Sequence, residues 1–236
     1  IVCAIVMALG TAAGGWRGET LTEDLHLSYR AQLAGYHLRY DFDLPCPAEI
    51  PNTVSALKSQ QRRWAKGSIQ TARLLLPAVW RSPLLALGQK IEATLHLTHY
   101  LVAPLMVAIA VLTMPMILWT PLPTVSTLMI VLWTLIVFSA FAPCAMYTGS
   151  GLVLGQTGFA LSRFPAMLAL GTGLCLNNSL AVIEGLRGGR GEFVRTPKSG
   201  SCDGRSRSSA YLSRNHLGLA LAELIFGMYC LVTFVV

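Results

Sequence analysis

A set of membrane-crossing α-helices joined to a polar α/β part is the fold class that this sequence predicts. Three observations predict it. From residue 93 to residue 162 there is no Asp, Glu, Lys or Arg, whereas one span needs roughly 20 mainly apolar residues. Charged residues make up only 12% of the chain, about half the share usual in a soluble domain. The basic residues gather in two places that flank apolar stretches, 58–81 and 187–214. The net charge of +7 would suit nucleic acid, but Lys and Arg beside spans mark the cytoplasmic side and favour anionic headgroups. A membrane partner is therefore expected and a nucleic-acid partner is not. The six cysteines are scattered without a C-x-x-C pair, which suits reduced thiols and offers no zinc site.

Residues 1–9 are apolar but too short to span, and read as a buried strand. A polar domain entered partway through reads as a chain truncated at its N-terminus. Gly14, Gly15 and Gly18 mark a loop. Thr22 is a suitable N-cap for a helix over 23–33, which Gly35 would end. Residues 36–42 alternate as a strand does, and Pro45, Pro47 and Pro51 enforce an extended link. Thr53 can cap a strongly basic helix that runs to about residue 76 and stops at Pro77. Such an amphipathic helix lies at a membrane surface or under a domain.

Spans are expected over 95–119 and 122–147, joined as a hairpin by the short link 120–123 and kinked by Pro104, Pro115 and Pro143. Residues 164–186 are long enough to span but hold Asn177, Asn178, Ser179 and Glu184. The basic helix at 58–73 and the loop 187–214, which carries seven arginines and lysines, should both be cytoplasmic. That places both ends of 164–186 on one side, so the segment is expected to be interfacial or re-entrant. Residues 217–236 form a last span containing an intramembrane acid, Glu223. The division is thus 1–52 polar domain, 53–91 amphipathic interface helices, 92–148 two spans, 149–186 interfacial or re-entrant helix, 187–214 cytoplasmic loop and 215–236 a final span.

Two motifs carry the chemistry. Thr22-Glu23-Asp24 places carboxylates at a helix start. An isolated pair there is ordinarily a favourable dipole interaction; in a transferase Asp24 would be a general base toward an acceptor hydroxyl. Gln60, Arg63 and Trp64, at i, i+3 and i+4, share one helix face. An Arg and a Trp so placed are often a packing pair. Chemically, Arg63 offers a fork of donors to a diphosphate, Trp64 a flat platform for a sugar ring, and Gln60 a hydrogen bond to either. A third string, Phe193-Val194-Arg195-Thr196-Pro197-Lys198, lies in the basic loop. His96 and His99 at i, i+3 are too few for a metal, which needs three or four ligands.

T-E-D, then Q-Q-R-R-W, then spans, then F-x-x-T-x-K resembles the membrane-embedded family 2 glycosyltransferases, and in particular the cellulose-synthase-like branch of mannan and glucomannan synthases. The likeness runs from Gly14 to the C-terminus. It implies that residues 1–52 are the C-terminal remnant of an α/β GT-A catalytic domain on the cytoplasmic face of a plasma, inner or Golgi membrane. It implies inverting transfer of a hexose from a UDP or GDP donor to a growing β-linked polysaccharide. It matches Thr22, Glu23 and Asp24 to the acid motif with Asp24 as base, and Gln60, Arg63 and Trp64 to the box that holds donor diphosphate and acceptor. Phe193, Thr196 and Lys198 match a gating loop over the nucleotide. A divalent cation, Mg2+ or Mn2+, is implied, but the family's D-x-D metal site lies upstream of T-E-D. Asp41-Phe42-Asp43 follows T-E-D and is read as a strand end, so no metal ligand is assigned. The alternatives are transfer of a single sugar to a lipid acceptor, or a non-catalytic remnant without the donor half.

Overall fold

The structure is a computed structural model that describes residues 13–39, 50–51, 53–119, 130–131, 134, 145–188 and 215–235. The expected strand over 1–9, the Asp41-Phe42-Asp43 string, most of the span expected over 122–147 and the loop residues Phe193, Thr196 and Lys198 lie outside them. The described residues include the helices α1 (Glu23–Leu33), α2 (Val54–Arg81), α3 (Leu87–Thr98), α4 (Val102–Trp119), α5 (Thr157–Gly173), α6 (Cys175–Arg187) and α7 (Asn215–Val235). Among them no strand occurs, and residues 36–39, the described part of the expected strand at 36–42, have no regular structure.

Helix α1 has the bounds that the caps predict. Glu23 and Asp24 occupy its first turn, where the helix dipole favours negative charge. It closes at Ala34, and Gly35 turns away with φ +91°, a conformation open to glycine at little cost. Thr22 stands at the N-cap position, but its side chain caps nothing; it is buried against α2 instead.

Helix α2 is begun by Thr53, whose Oγ1 accepts from the Ala56 N–H at 3.2 Å. It does not stop at Pro77 but continues to Arg81. Proline costs a helix its i−4 hydrogen bond, yet Leu75 and Val79 on either side are buried in the core, and that burial carries the helix through. Its end is set by Pro83, because the residue before a proline favours extended backbone; Ser82 has φ −65° and ψ 127°.

Two compact units divide the chain, one of residues 1–107 and 176–222, the other of 108–175 and 223–236. In the first, Tyr29, Ala72, Leu75, Val79, Ala93 and Leu97 form the main core, so α1, α2 and α3 meet in it. At about 100° per residue, α2 presents three faces. Gly67, Gln70 and Thr71 meet the start of α1. Ser68, Ala72, Leu75 and Val79 meet α3, with Ser68 Oγ donating to the Leu97 carbonyl at 2.9 Å. Arg62, Lys66, Ile69 and Arg73 meet α6.

The helix expected over 95–119 starts earlier. Residues 87–119 form one 33-residue segment long and apolar enough to cross a membrane. A 3-10 turn, His99–Leu101, interrupts it, one turn before Pro104, whose ring crowds the carbonyl of the residue four before it. Leu217–Val235 also passes the length and apolarity test, and α5 with α6 passes only as a pair broken between them. In the second unit, residues 145–153 are helical, the Arg163 guanidinium lies over the Phe159 ring at 5.5 Å, and the Tyr229 hydroxyl donates to the Val111 carbonyl at 2.6 Å.

Candidate active site

The two motifs, with Asp24 and Gln60 standing 36 positions apart in the chain, are both placed on one face of α2. Gly67 makes this possible. A Cβ there would lie 2.6 Å from Thr22 Cγ2 and 2.8 Å from the Thr22 backbone nitrogen. The Leu21 N–H donates to Gln70 Oε1 at 3.1 Å, and the Thr22 and Thr71 hydroxyls stand 3.5 Å apart. Gly67 is three residues beyond Trp64 and seven beyond Gln60, so Gln60, Arg63 and Trp64 lie on the same face as the seat of T-E-D, about one turn away.

Exposure sorts these residues. Thr22 is buried and Glu23 half-buried, while Asp24 is exposed. The Leu25 N–H donates to Asp24 Oδ1 at 2.8 Å, and Ser28 Oγ donates to the Asp24 carbonyl at 2.9 Å. Gln60 and Arg63 are half-buried, and Trp64 is 41% exposed, so part of its indole is open to a ring.

The loop before T-E-D is tied down by Arg30, which donates to the Ala13 carbonyl at 2.7 Å and also to the Gly15 carbonyl. Burial, with Arg17 beside it, lowers the Arg30 pKa from its usual value. His26 is buried next to this loop, its Nε2 3.9 Å from the Glu19 carboxylate. Burial and then Arg30 push its pKa below 6.5, and Glu19 only partly opposes them. Tyr29, whose pKa burial and Glu92 raise, shares a 2.8 Å hydrogen bond with His96 Nδ1. Tyr100 donates to Gln61 Oε1 at 3.1 Å. His96 thus links α3 to α1, and Tyr100 links the 3-10 turn to α2, while His99 contacts its neighbours His96 and Tyr100. Among the described residues no group of three His, Cys, Asp or Glu could hold a metal.

Sequence reading missed the seat itself. Gly67, a helix-weakening residue in the middle of a long helix, was the available signal for a close approach. It also missed the partner of the basic stripe. Glu184 of α6 pairs with Arg62 and, at 3.3 Å, with Lys66. Asn177 Nδ2 donates to the Lys58 carbonyl at 3.0 Å, and Arg73 donates to the Gly185 carbonyl at 3.1 Å.

The family model described as "Glycosyl transferase family group 2" matches residues 3–171. The chain belongs to that family. It is similar to glucomannan 4-beta-mannosyltransferase 1 of Oryza sativa subsp. japonica, 34% identical over 101 residues, which is 39% of this chain and 19% of that protein. It is similar to glucomannan 4-beta-mannosyltransferase 7 of Arabidopsis thaliana, 37% identical over 78 residues, 33% of this chain and 14% of that protein. Glucomannan 4-beta-mannosyltransferase 2 of the same plant is 34% identical over 79 residues, 34% of this chain and 15% of that protein. The matched part therefore spans less than a fifth of the curated relatives' own length. No solved structure matches this family group 2 chain.

Proposed function

We propose that this family group 2 protein contributes the acceptor side of an inverting glycosyltransferase at a membrane. The transferred group is a hexosyl, the donor a UDP or GDP sugar, and the acceptor the end of a growing β-linked polysaccharide. The observation that carries this reading is the seating of T-E-D on Gly67, Gln70 and Thr71 of the helix that holds Gln60, Arg63 and Trp64. The names of the similar mannosyltransferases support the polysaccharide class.

In this reading an acceptor hydroxyl oxygen attacks the anomeric carbon from the face opposite the diphosphate. Its proton passes to the exposed carboxylate of Asp24 as the new C–O bond forms. The bond from the anomeric carbon to the diphosphate oxygen breaks, and the diphosphate leaves with the electron pair. Arg63 offers its fork of N–H donors to that developing charge. Trp64 and Gln60 orient the acceptor ring, which turns an encounter into a positioned attack. Glu23 and Thr22 hold Asp24 in register, Thr22 through its contact with Gly67. Phe193, Thr196 and Lys198, outside the described residues, are proposed to close over the nucleotide. The described residues do not fit the divalent cation that the family resemblance implies, and no step is assigned to it. The described part of the polar domain belongs, in this reading, to the end of an α/β GT-A domain facing the cytoplasm.

Asp24→Asn tests the base. Transfer from the nucleotide sugar should fall by about 10² to 10⁴, the usual worth of a positioned base, while nucleotide binding to the same membranes persists. Turnover at the wild-type rate would remove Asp24 from that role.

A further inference from the structure

On the reading of Arg63 as a diphosphate ligand, we propose that Glu184 is a positioning residue that keeps Arg62 and Lys66 away from that diphosphate and so permits its release. Three cations, Arg62, Arg63 and Lys66, lie within five positions of α2. Arg63 lies on the motif face, while Arg62 and Lys66 sit on the adjoining one. One carboxylate holds both: Glu184 Oε1 accepts from Arg62, and Oε2 accepts from Lys66 at 3.3 Å.

The docking of α6 rests on more than this carboxylate. Ala181 and Val182 are fully buried. A Cβ on Gly185 would come within 3.0 Å of Ile69 Cβ and the Lys66 carbonyl, so the helices are already in close contact. Asn177 and Arg73 add hydrogen bonds at either end of α6. Arg62 and Glu184 are about a third exposed, and ion pairs of that kind add little to stability; Lys66, at 12% exposure, is the more enclosed partner. What the pair does fix is direction. Lysine and arginine have long flexible stems, and both cations could swing toward an anion bound one face away. Held by Glu184, they leave the number of cations around the leaving diphosphate set by the motif face.

The experiment uses the whole protein in membranes, with GDP and UDP as probes. It reads inhibition of transfer and, in detergent-solubilised protein, direct binding of either diphosphate. Glu184→Gln should tighten diphosphate inhibition and binding by roughly tenfold, with a lower kcat and a gap that narrows as salt rises. The triple variant E184Q, R62Q, K66Q should return to wild-type inhibition. Unchanged diphosphate binding in Glu184→Gln, even with a reduced rate, overturns the proposal and leaves Glu184 as a packing residue. Tight binding that persists in the triple variant overturns it equally. Arg63→Gln separates the underlying reading: if that variant binds GDP and UDP as the wild type does, the diphosphate role of Arg63 fails whatever Glu184 does.

Discussion

Gly67 is the residue on which the shared placement of the two motifs turns. Alanine suits a helix interior better than glycine by about 1 kcal/mol, while overpacking costs roughly 1–3 kcal/mol. Stability should therefore fall by roughly 0–2 kcal/mol in Gly67→Ala. The Thr22 backbone nitrogen that a Cβ would meet at 2.8 Å must move, and T-E-D moves with it. Misplacement by about 1 Å can cost 10²-fold in rate, so transfer should drop by ten- to a hundredfold while the melting temperature shifts by a few degrees. Gly88→Ala, where a Cβ meets nothing within 4 Å, serves as the control. Equal activity in the two variants would show that the close approach is not needed. His26 gives a second prediction at this scale. Its pKa in the folded state lies below the ordinary 6.5, so the unfolded chain binds the extra proton first. The stability contribution is complete above about pH 6.5 and is lost as pH falls through the lowered value. Melting measured from pH 7.5 downward should decline more steeply for the wild type than for His26→Gln; parallel curves would assign the loss to other groups.

At the scale of elements, α2 is the member against which α1, α3 and α6 are laid. Leu97 is fully buried in the core shared by α1, α2 and α3. Leu97→Ala should cost about 2–5 kcal/mol, read as a lowered melting temperature in detergent, and a loss below 1 kcal/mol would mean that the core re-forms around the gap. The ends of α1 were readable from the acidic first turn and Gly35, which are local chemistry, although Thr22 at the N-cap position turns out to be buried against α2 and caps nothing. The shared face of Gln60, Arg63 and Trp64 was readable from spacing alone. The run of α2 through Pro77 was not, since the burial of Val79 depends on α3 residues that lie later in the chain. Nor was the seat of α6. Asn177 and Glu184 looked like polar interruptions in an apolar stretch, and only the packed structure shows that they answer a backbone carbonyl and two cations of α2.

At the scale of the whole molecule, composition spoke most plainly. Two segments, Leu87–Trp119 and Leu217–Val235, have the length and apolarity to cross a bilayer, and long apolar sequence with few charges is visible without any fold. The protein should stay with the membrane pellet after extraction at alkaline pH and require detergent for release; recovery in the supernatant would refute the spans. The acid motif and the arginine box could be matched to a family but not to each other, because the acid motif is seated on Gly67, Gln70 and Thr71 of the helix that bears the box, residues without a chemical signature of their own.

The three-sided character of α2 has a consequence for how its sequence can drift. Each added residue turns everything beyond it by about 100°. A single insertion between Trp64 and Gly67 would rotate the threonine seat toward α3 and the core leucine toward α6, exchanging neighbours at every later position. A substitution on this helix acts at its own position. A change of length acts at every later one, so the spacing from Gln60 to Val79 behaves as one indivisible unit of inheritance.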